Sequence, residues 1–124
     1  MSTPKKNRVL VVDDEDALRD LLSAELRRVG YDVTSAGDGI EAIPLIQQNK
    51  FDVVLLDINM PNTGGIEVLK FIQQNSPTTK AIMLTGFADL KHAMESKQFG
   101  ASDFITKPFS ISDVKATLEK VLNQ

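Results

Sequence analysis

Short apolar runs alternate five times with stretches whose apolar residues recur at helical spacing. The runs are Arg8–Val12, Asp32–Ser35, Val53–Leu56, Ala81–Leu84 and Asp103–Ile105, rich in Val, Ile and Leu. The first, third and fourth show little polar alternation, as expected of strands buried on both faces. Between them lie the helix candidates. Leu18, Leu21, Leu22, Leu26 and Val29 form one stripe, which Gly30 closes. Asp38 and Glu41 have the spacing of a capping arrangement for a second helix. Pro44 falls inside that helix, where it removes a hydrogen bond and predicts a bend. Ile66, Leu69 and Ile72 mark a third helix. Ile111, Val114, Leu118, Val121 and Leu122 mark the last, with Ser110 as its N-cap. The fourth, Asp89–Phe99, is the weakest. Leu90, Ala93 and Met94 face inward but Lys97 takes the next position of the stripe, which predicts a looser element.

Five strand–helix units predict an α/β domain with a doubly wound parallel sheet, right-handed crossovers and helices on both faces. A chain of 124 residues suits one such domain, residues 1–124. Ligand sites in these sheets lie beyond the carboxyl ends of the strands, so chemistry is sought in the residues that leave each strand.

Composition narrows the function classes. The net charge of −3 and the scattered Lys and Arg argue against a nucleic-acid surface. Lys5, Lys6 and Arg8, and the pair Arg27-Arg28, read as solvated surface. The absence of cysteine excludes disulfide and thiolate chemistry. No apolar run approaches the roughly 20 residues of a membrane helix, and no signal peptide is read at the start. A cytoplasmic location fits these features.

The strand ends carry chemistry. The first strand runs into Asp13-Asp14-Glu15-Asp16, the third into Asp57, the fourth into Thr85-Gly86 and the fifth into Lys107-Pro108. Acids near a helix start favour its dipole, which accounts for Asp16 as an N-cap and for Glu15. It does not account for Asp13, Asp14 or the distant Asp57. Clustered carboxylates repel, and a hard divalent cation relieves that repulsion, magnesium being the natural choice and manganese the alternative. A carboxylate can attack phosphorus to form an aspartyl phosphate. A cation and the Lys107 ammonium would then offset the charge that develops. Thr85 could donate its hydroxyl to a phosphoryl oxygen, although a β-branched residue with a satisfied hydroxyl is the plainer account of it alone. His92, the single histidine, reads as exposed and without a catalytic role.

Taken together, VLVVDDE, VVLLDINMP, MLTGFAD and DFITKPF resemble the four signature segments of the response-regulator receiver domain, in order and spacing, across essentially the whole chain. The resemblance implies a flavodoxin-like fold, a five-stranded parallel sheet of order 2-1-3-4-5 with five helices. It implies that Asp57 accepts a phosphoryl group from a phosphohistidine of a sensor kinase or phosphotransfer protein. It implies magnesium ligation by Asp13, Asp14 and Asp57 with the backbone carbonyl of Asn59, Asp13 acting mainly through a metal-bound water. Thr85 and Phe104 would form the switch, and the Lys107–Pro108 bond would be cis. The face of the fourth helix, fifth strand and fifth helix would meet an output domain or target protein, the chain being a monomer or a phosphorylation-dependent dimer.

Several positions depart from the family's pattern. Phe104 stands where Tyr is frequent. Thr63-Gly64-Gly65 replaces a more usual Met-Asp-Gly. Pro44 is atypical, and the last helix lacks the Arg-rich pattern of the winged-helix subfamily. TGFADLKHAM resembles receivers of the nitrogen-regulation type.

Three other functions compete. An aspartyl-phosphate phosphatase of the haloacid-dehalogenase kind needs an acid two residues after its nucleophile; here that residue is Asn59, whose amide cannot transfer a proton. A pseudo-receiver that never takes phosphate would lack an acid, the acceptor or the lysine, and all are present. A flavin site would need hydroxyls and glycine where Asp13-Asp14-Glu15-Asp16 stands. In the family, Asn59 and Phe87 flank the path of attacking water. The Phe87 ring would exclude it, so the expectation is a regulated phosphoacceptor with slow self-dephosphorylation rather than an enzyme of turnover.

Overall fold

The structure is a computed structural model that describes residues 7–58, 64–86, 91, 95 and 97–123. Five strands, β1 (Arg8–Val12), β2 (Asp32–Ala36), β3 (Val53–Asp57), β4 (Lys80–Thr85) and β5 (Asp103–Thr106), form one sheet in the order β2-β1-β3-β4-β5. All neighbours are parallel. Among the described residues there are four helices: α1 (Asp16–Arg28), α2 (Gly39–Gln48), α3 (Gly65–Asn75) and α4 (Ile111–Leu122). The further helix expected over residues 89–99 falls mostly outside the described residues. Lys91, Glu95, Lys97 and Gln98 are helical, whereas Phe87, Leu90, His92, Ala93 and Met94 lie outside.

The two-residue period of a strand sorts the core into two layers. Leu10, Val12, Val54, Leu56, Ala81 and Met83 face one way and pack with Ala42 and Ile46 of α2 and Val68, Leu69 and Ile72 of α3. Val9, Val11, Val53, Leu55, Ile82 and Leu84 face the other way, towards Leu22 and Leu26 of α1 and Val114, Leu118 and Val121 of α4. With both faces covered, the apolar runs carry no polar alternation, which is why they read as buried strands.

Local chemistry sets the helix starts. Asp38 Oδ1 accepts the Glu41 N–H at 2.9 Å, while Glu41 Oε2 reaches past the cap to accept the Gly37 N–H at 3.0 Å. Ser110 and Asp113 form a reciprocal capping box. α2 continues through Pro44 to Gln48. Gly30 takes a left-handed φ of 107° just beyond α1.

Three expectations for α1 need correction. Leu21 and Val29 are 51% and 47% exposed, not part of the buried stripe. The sheet-facing arc is narrower, centred on Leu22 and Leu26, and includes the small polar Ser23. Asp16 is the first helical residue, and Glu15 takes the N-cap position without a side-chain cap. The reason is Asp13, whose Oδ1 accepts the Glu15 N–H at 2.9 Å and starts the turn early.

Candidate functional site

β1 and β3 are neighbours, with Val12 opposite Leu56, so the next residues, Asp13 and Asp57, emerge side by side. Here the strand order reverses direction, where a crevice forms in such sheets. Asp57 pairs with Leu84, which precedes Thr85, and Thr85 pairs with Thr106, which precedes Lys107. The backbone ladder runs past the strand ends. Asp13 N–H donates to Ala36 O at 3.2 Å, Ile58 N–H to Leu84 O at 3.0 Å and Lys107 N–H to Thr85 O at 2.7 Å. Main-chain hydrogen bonds thus anchor these strand ends.

Asp13, Asp57 and Thr85 are buried and Asp14 is exposed. One oxygen from each of Asp13, Asp14 and Asp57 lies within 4.8 Å of the others. Lys107 Nζ donates to Asp57 Oδ2 at 3.2 Å and stands 3.9 Å from Asp13 Oδ2, beyond hydrogen-bond reach. Asp13 Oδ2 is buried with no hydrogen-bond partner among the described residues. A single ammonium cannot balance three carboxylates. The donor set fits a hard divalent cation: carboxylate oxygens only, one of them buried and orphaned, with Asp14 open to solvent for water ligands.

Burial pushes the Asp13 carboxyl up to about 6. The Glu15 N–H opposes this, the Asp57 charge adds to it, Lys107 opposes it, and a proton shared with Asp57 would add again. Burial alone would lower Lys107, but Asp57, Asp13, the hydrogen bond to Asp57 and the more distant Glu15 outweigh it and raise the ammonium's pKa. Lys107 therefore stays charged.

The Lys107–Pro108 peptide bond is cis. Glu15, Leu18, Lys107, Pro108 and Phe109 line a cavity of about 220 Å³ beside the lysine. The Thr85 hydroxyl donates to Gly86 O at 3.1 Å. Phe104 is half-buried against the α2–α3 layer, with Lys97 Nζ 5.2 Å from its ring centroid. Lys120 Nζ, 3.3 Å from Asp103 Oδ2, ties α4 to β5. Asn59 and Phe87 lie outside the described residues.

Sequence reasoning passed over two residues at this site. Arg19 Nη1 donates to the Asp13 carbonyl at 2.8 Å; its only sequence signal is the Asp16–Arg19 spacing of an i,i+3 pair. Gly65 packs against the Asp57 backbone so closely that a Cβ would overlap the Asp57 carbonyl oxygen. Its sequence signal is the glycine pair Gly64-Gly65, noted above only as a departure from the family's pattern.

The family model for the response regulator receiver domain matches residues 9–119. A probable transcriptional regulator, ycf27, of Guillardia theta is 40% identical over 119 residues, covering 96% of this chain and 46% of that protein. Sporulation initiation phosphotransferase F of Bacillus subtilis is 32% identical over 115 residues, covering 93% of each. A CheY-like receiver domain protein from Methanospirillum hungatei has a TM-score of 0.91 at 32% identity, covering 96% of this chain and 95% of that one. The chain belongs to the response regulator receiver domain family and is a receiver domain of the two-component type. It has the expected flavodoxin-like sheet order. The chain spans half or less of several curated relatives, 46%, 25% and 50% of three of them.

Proposed function

We propose that Asp57 is the phosphoacceptor of a two-component phosphorelay, taking its phosphoryl group from a phosphohistidine on a sensor kinase or phosphotransfer protein. The observation that carries this is the Asp57 carboxylate at the end of β3, 3.2 Å from the Lys107 ammonium and clustered with Asp13 and Asp14.

Asp13, Asp14 and Asp57, with the Asn59 carbonyl, would hold magnesium or manganese. When bound there, the cation offsets the charge of the carboxylates and of the incoming phosphoryl group. A carboxylate oxygen of Asp57 attacks phosphorus, the phosphorus–nitrogen bond breaks, and its electron pair leaves with the imidazole. The Lys107 ammonium pairs with the phosphoryl oxygens. The Thr85 hydroxyl, which now donates to Gly86 O, turns to donate to one of them. Phe104 follows into the space this opens, and the face of the segment at residues 89–99, expected to be helical, with β5 and α4 signals to an output domain or target protein.

Acceptor chemistry of this kind ends with one phosphoryl group per chain, so the domain is a switch and not an enzyme of turnover. Direct nucleic-acid contact is no part of the reading, nor is a membrane: no described helix is long and apolar enough to cross one. A cytoplasmic setting, as a monomer or a phosphorylation-dependent dimer, suits it. The aromatic ring of Phe87 would shield the acyl phosphate from water, so Phe87→Glu should shorten its lifetime. An equally persistent phosphate in that variant would dismiss the shielding role.

The test is incubation with magnesium and a small phosphodonor, read by intact mass. One phosphoryl adduct is expected, lost on chelation of the metal before addition and absent in Asp57→Asn. No adduct, or an adduct that survives Asp57→Asn, would favour the pseudo-receiver reading or another acceptor.

A further inference from the structure

Every polar atom of Asp13 but one is committed to the scaffold. Its N–H donates to Ala36 O at 3.2 Å and its Oδ1 accepts the Glu15 N–H at 2.9 Å. Its carbonyl accepts Arg19 Nη1 at 2.8 Å. Only Oδ2 is left over, buried on the side of Lys107. The carbonyl bond has a clear origin. The hydrogen bond nearest the start of α1 runs from Arg19 N to Glu15 O, so among the described residues no helical N–H reaches the Asp13 carbonyl. The Arg19 side chain supplies the missing donor by folding back six residues.

The other limb of the fork, Nη2, pairs with Asp16 Oδ1 at 2.7 Å. That limb alone would be an ordinary i,i+3 surface pair of little consequence. The Arg19 side chain as a whole is not on open surface, because it keeps only 18% of its exposure. It is enclosed by the β2–α2 turn, where a Cβ at Gly37 would stand 3.3 Å from Nη1. Asp13 and Asp16 lie at the two ends of the turn that presents the acidic cluster. A planar fork gripping both ends sets its shape in a way a single ammonium cannot.

We infer that Arg19 is a positioning residue for the cation site, holding the Asp13–Asp16 turn so that Asp13 Oδ2 faces Asp57 and Asp14. This rests on the reading that the cluster binds a divalent cation. Outer partners that orient metal ligands typically matter by about 10–100-fold in metal affinity. The sign separates this role from simple electrostatics. Removing a cation from the rim of an acidic site should by Coulomb's law strengthen binding of another cation. A positioning role predicts the reverse.

The experiment titrates the full chain with Mn²⁺, following free Mn²⁺ by electron paramagnetic resonance, for wild type, Arg19→Met and Arg19→Lys. Arg19→Met should bind about tenfold more weakly, and Arg19→Lys, which keeps the charge and one donor, should fall between. In labelling with a small phosphodonor, Arg19→Met should need correspondingly more Mg²⁺ for half-maximal rate but regain the wild-type rate at saturation. Unchanged or tighter Mn²⁺ binding in either variant overturns the inference, as does a rate that excess Mg²⁺ does not restore. Should Arg19→Met not fold, Arg19→Lys decides alone. Wild-type protein that binds no Mn²⁺ overturns the cation-site reading itself, a result distinct from unaffected variants.

Discussion

Gly65 lies directly against Asp57. The Gly65 N–H donates to Ile58 O at 3.2 Å, and a Cβ at position 65 would overlap the Asp57 carbonyl and come within 2.9 Å of Ile58 Cα. Both obstacles are backbone, at the last residue of β3 and the one after it, so neither can rotate away. Gly65→Ala should cost about 1–3 kcal/mol of unfolding free energy and slow phosphoryl labelling by displacing the end of β3. Gly64→Ala, whose nearest obstacle is 3.9 Å away, should cost less than about 1 kcal/mol. Urea unfolding of the two variants compares them directly, and equal costs would mean that the close approach is not what position 65 requires.

Asp13 should be more useful than stable. It is fully buried beside a second carboxylate, and burial disfavours its charge. In the presence of a chelator, Asp13→Asn should therefore raise stability by about 1–3 kcal/mol. Saturating Mg²⁺ should narrow the gap, because only the intact cluster gains binding energy from the ion. A metal-free Asp13→Asn protein less stable than wild type would mean that the carboxylate supports the fold on its own.

The pH dependence follows from the same group. The folded carboxyl sits at about 6 against 3.8 in its ordinary state. Between those values the folded chain holds a proton that the unfolded chain has released, so metal-free stability from this group falls as pH rises through the window. It is flat below about pH 4, where both states are protonated, and flat again above about pH 6, where both are ionised. Cation binding needs the ionised form, so Mg²⁺ affinity should drop by roughly tenfold per pH unit below about pH 6. Lys107, its pKa raised, does not change charge over this range. Chelated urea titrations and Mg²⁺ binding isotherms across pH 4.5–7.5 (about three units, spanning the window) check both signs. Stability that climbs through the window, or affinity that ignores pH, would remove Asp13 as the responsible group.

What the sequence made legible was whatever side-chain pattern encodes. Residues 8–12 and 53–57 have no polar alternation because helices cover both faces, and that is visible in single letters. β4 and β5 run further than expected, to Thr85 and Thr106, because ladder pairing is a backbone property that a hydrophilic residue does not interrupt. Leu21 and Val29 were misplaced because a helical stripe gives the direction of the buried arc better than its width. The acidic cluster was legible because its members are chemically unusual at strand ends. Arg19 was not, because an arginine on a helix says nothing about reaching back to a carbonyl six residues earlier. Gly65 was not either, because a missing Cβ records a close approach only once the approaching backbone is known.

Pro44 offers a prediction away from the site. It stands inside α2, where residue 44 has no N–H to give the Ile40 carbonyl. An interior proline costs about 3 kcal/mol or more in an otherwise regular helix. Two features reduce the cost here. Ile40 is 58% exposed, so water reaches that turn, and proline restricts the unfolded chain, which offsets about 0.4–1 kcal/mol. Pro44→Ala should therefore raise stability by about 1–2 kcal/mol, visible as a higher urea midpoint at unchanged slope. Ser110→Ala at the capping box of α4 should move the midpoint the other way, by about 1 kcal/mol. A Pro44→Ala protein no more stable than wild type would show that the exposed proline's stiffening of the unfolded chain offsets the whole cost of the hydrogen bond it removes.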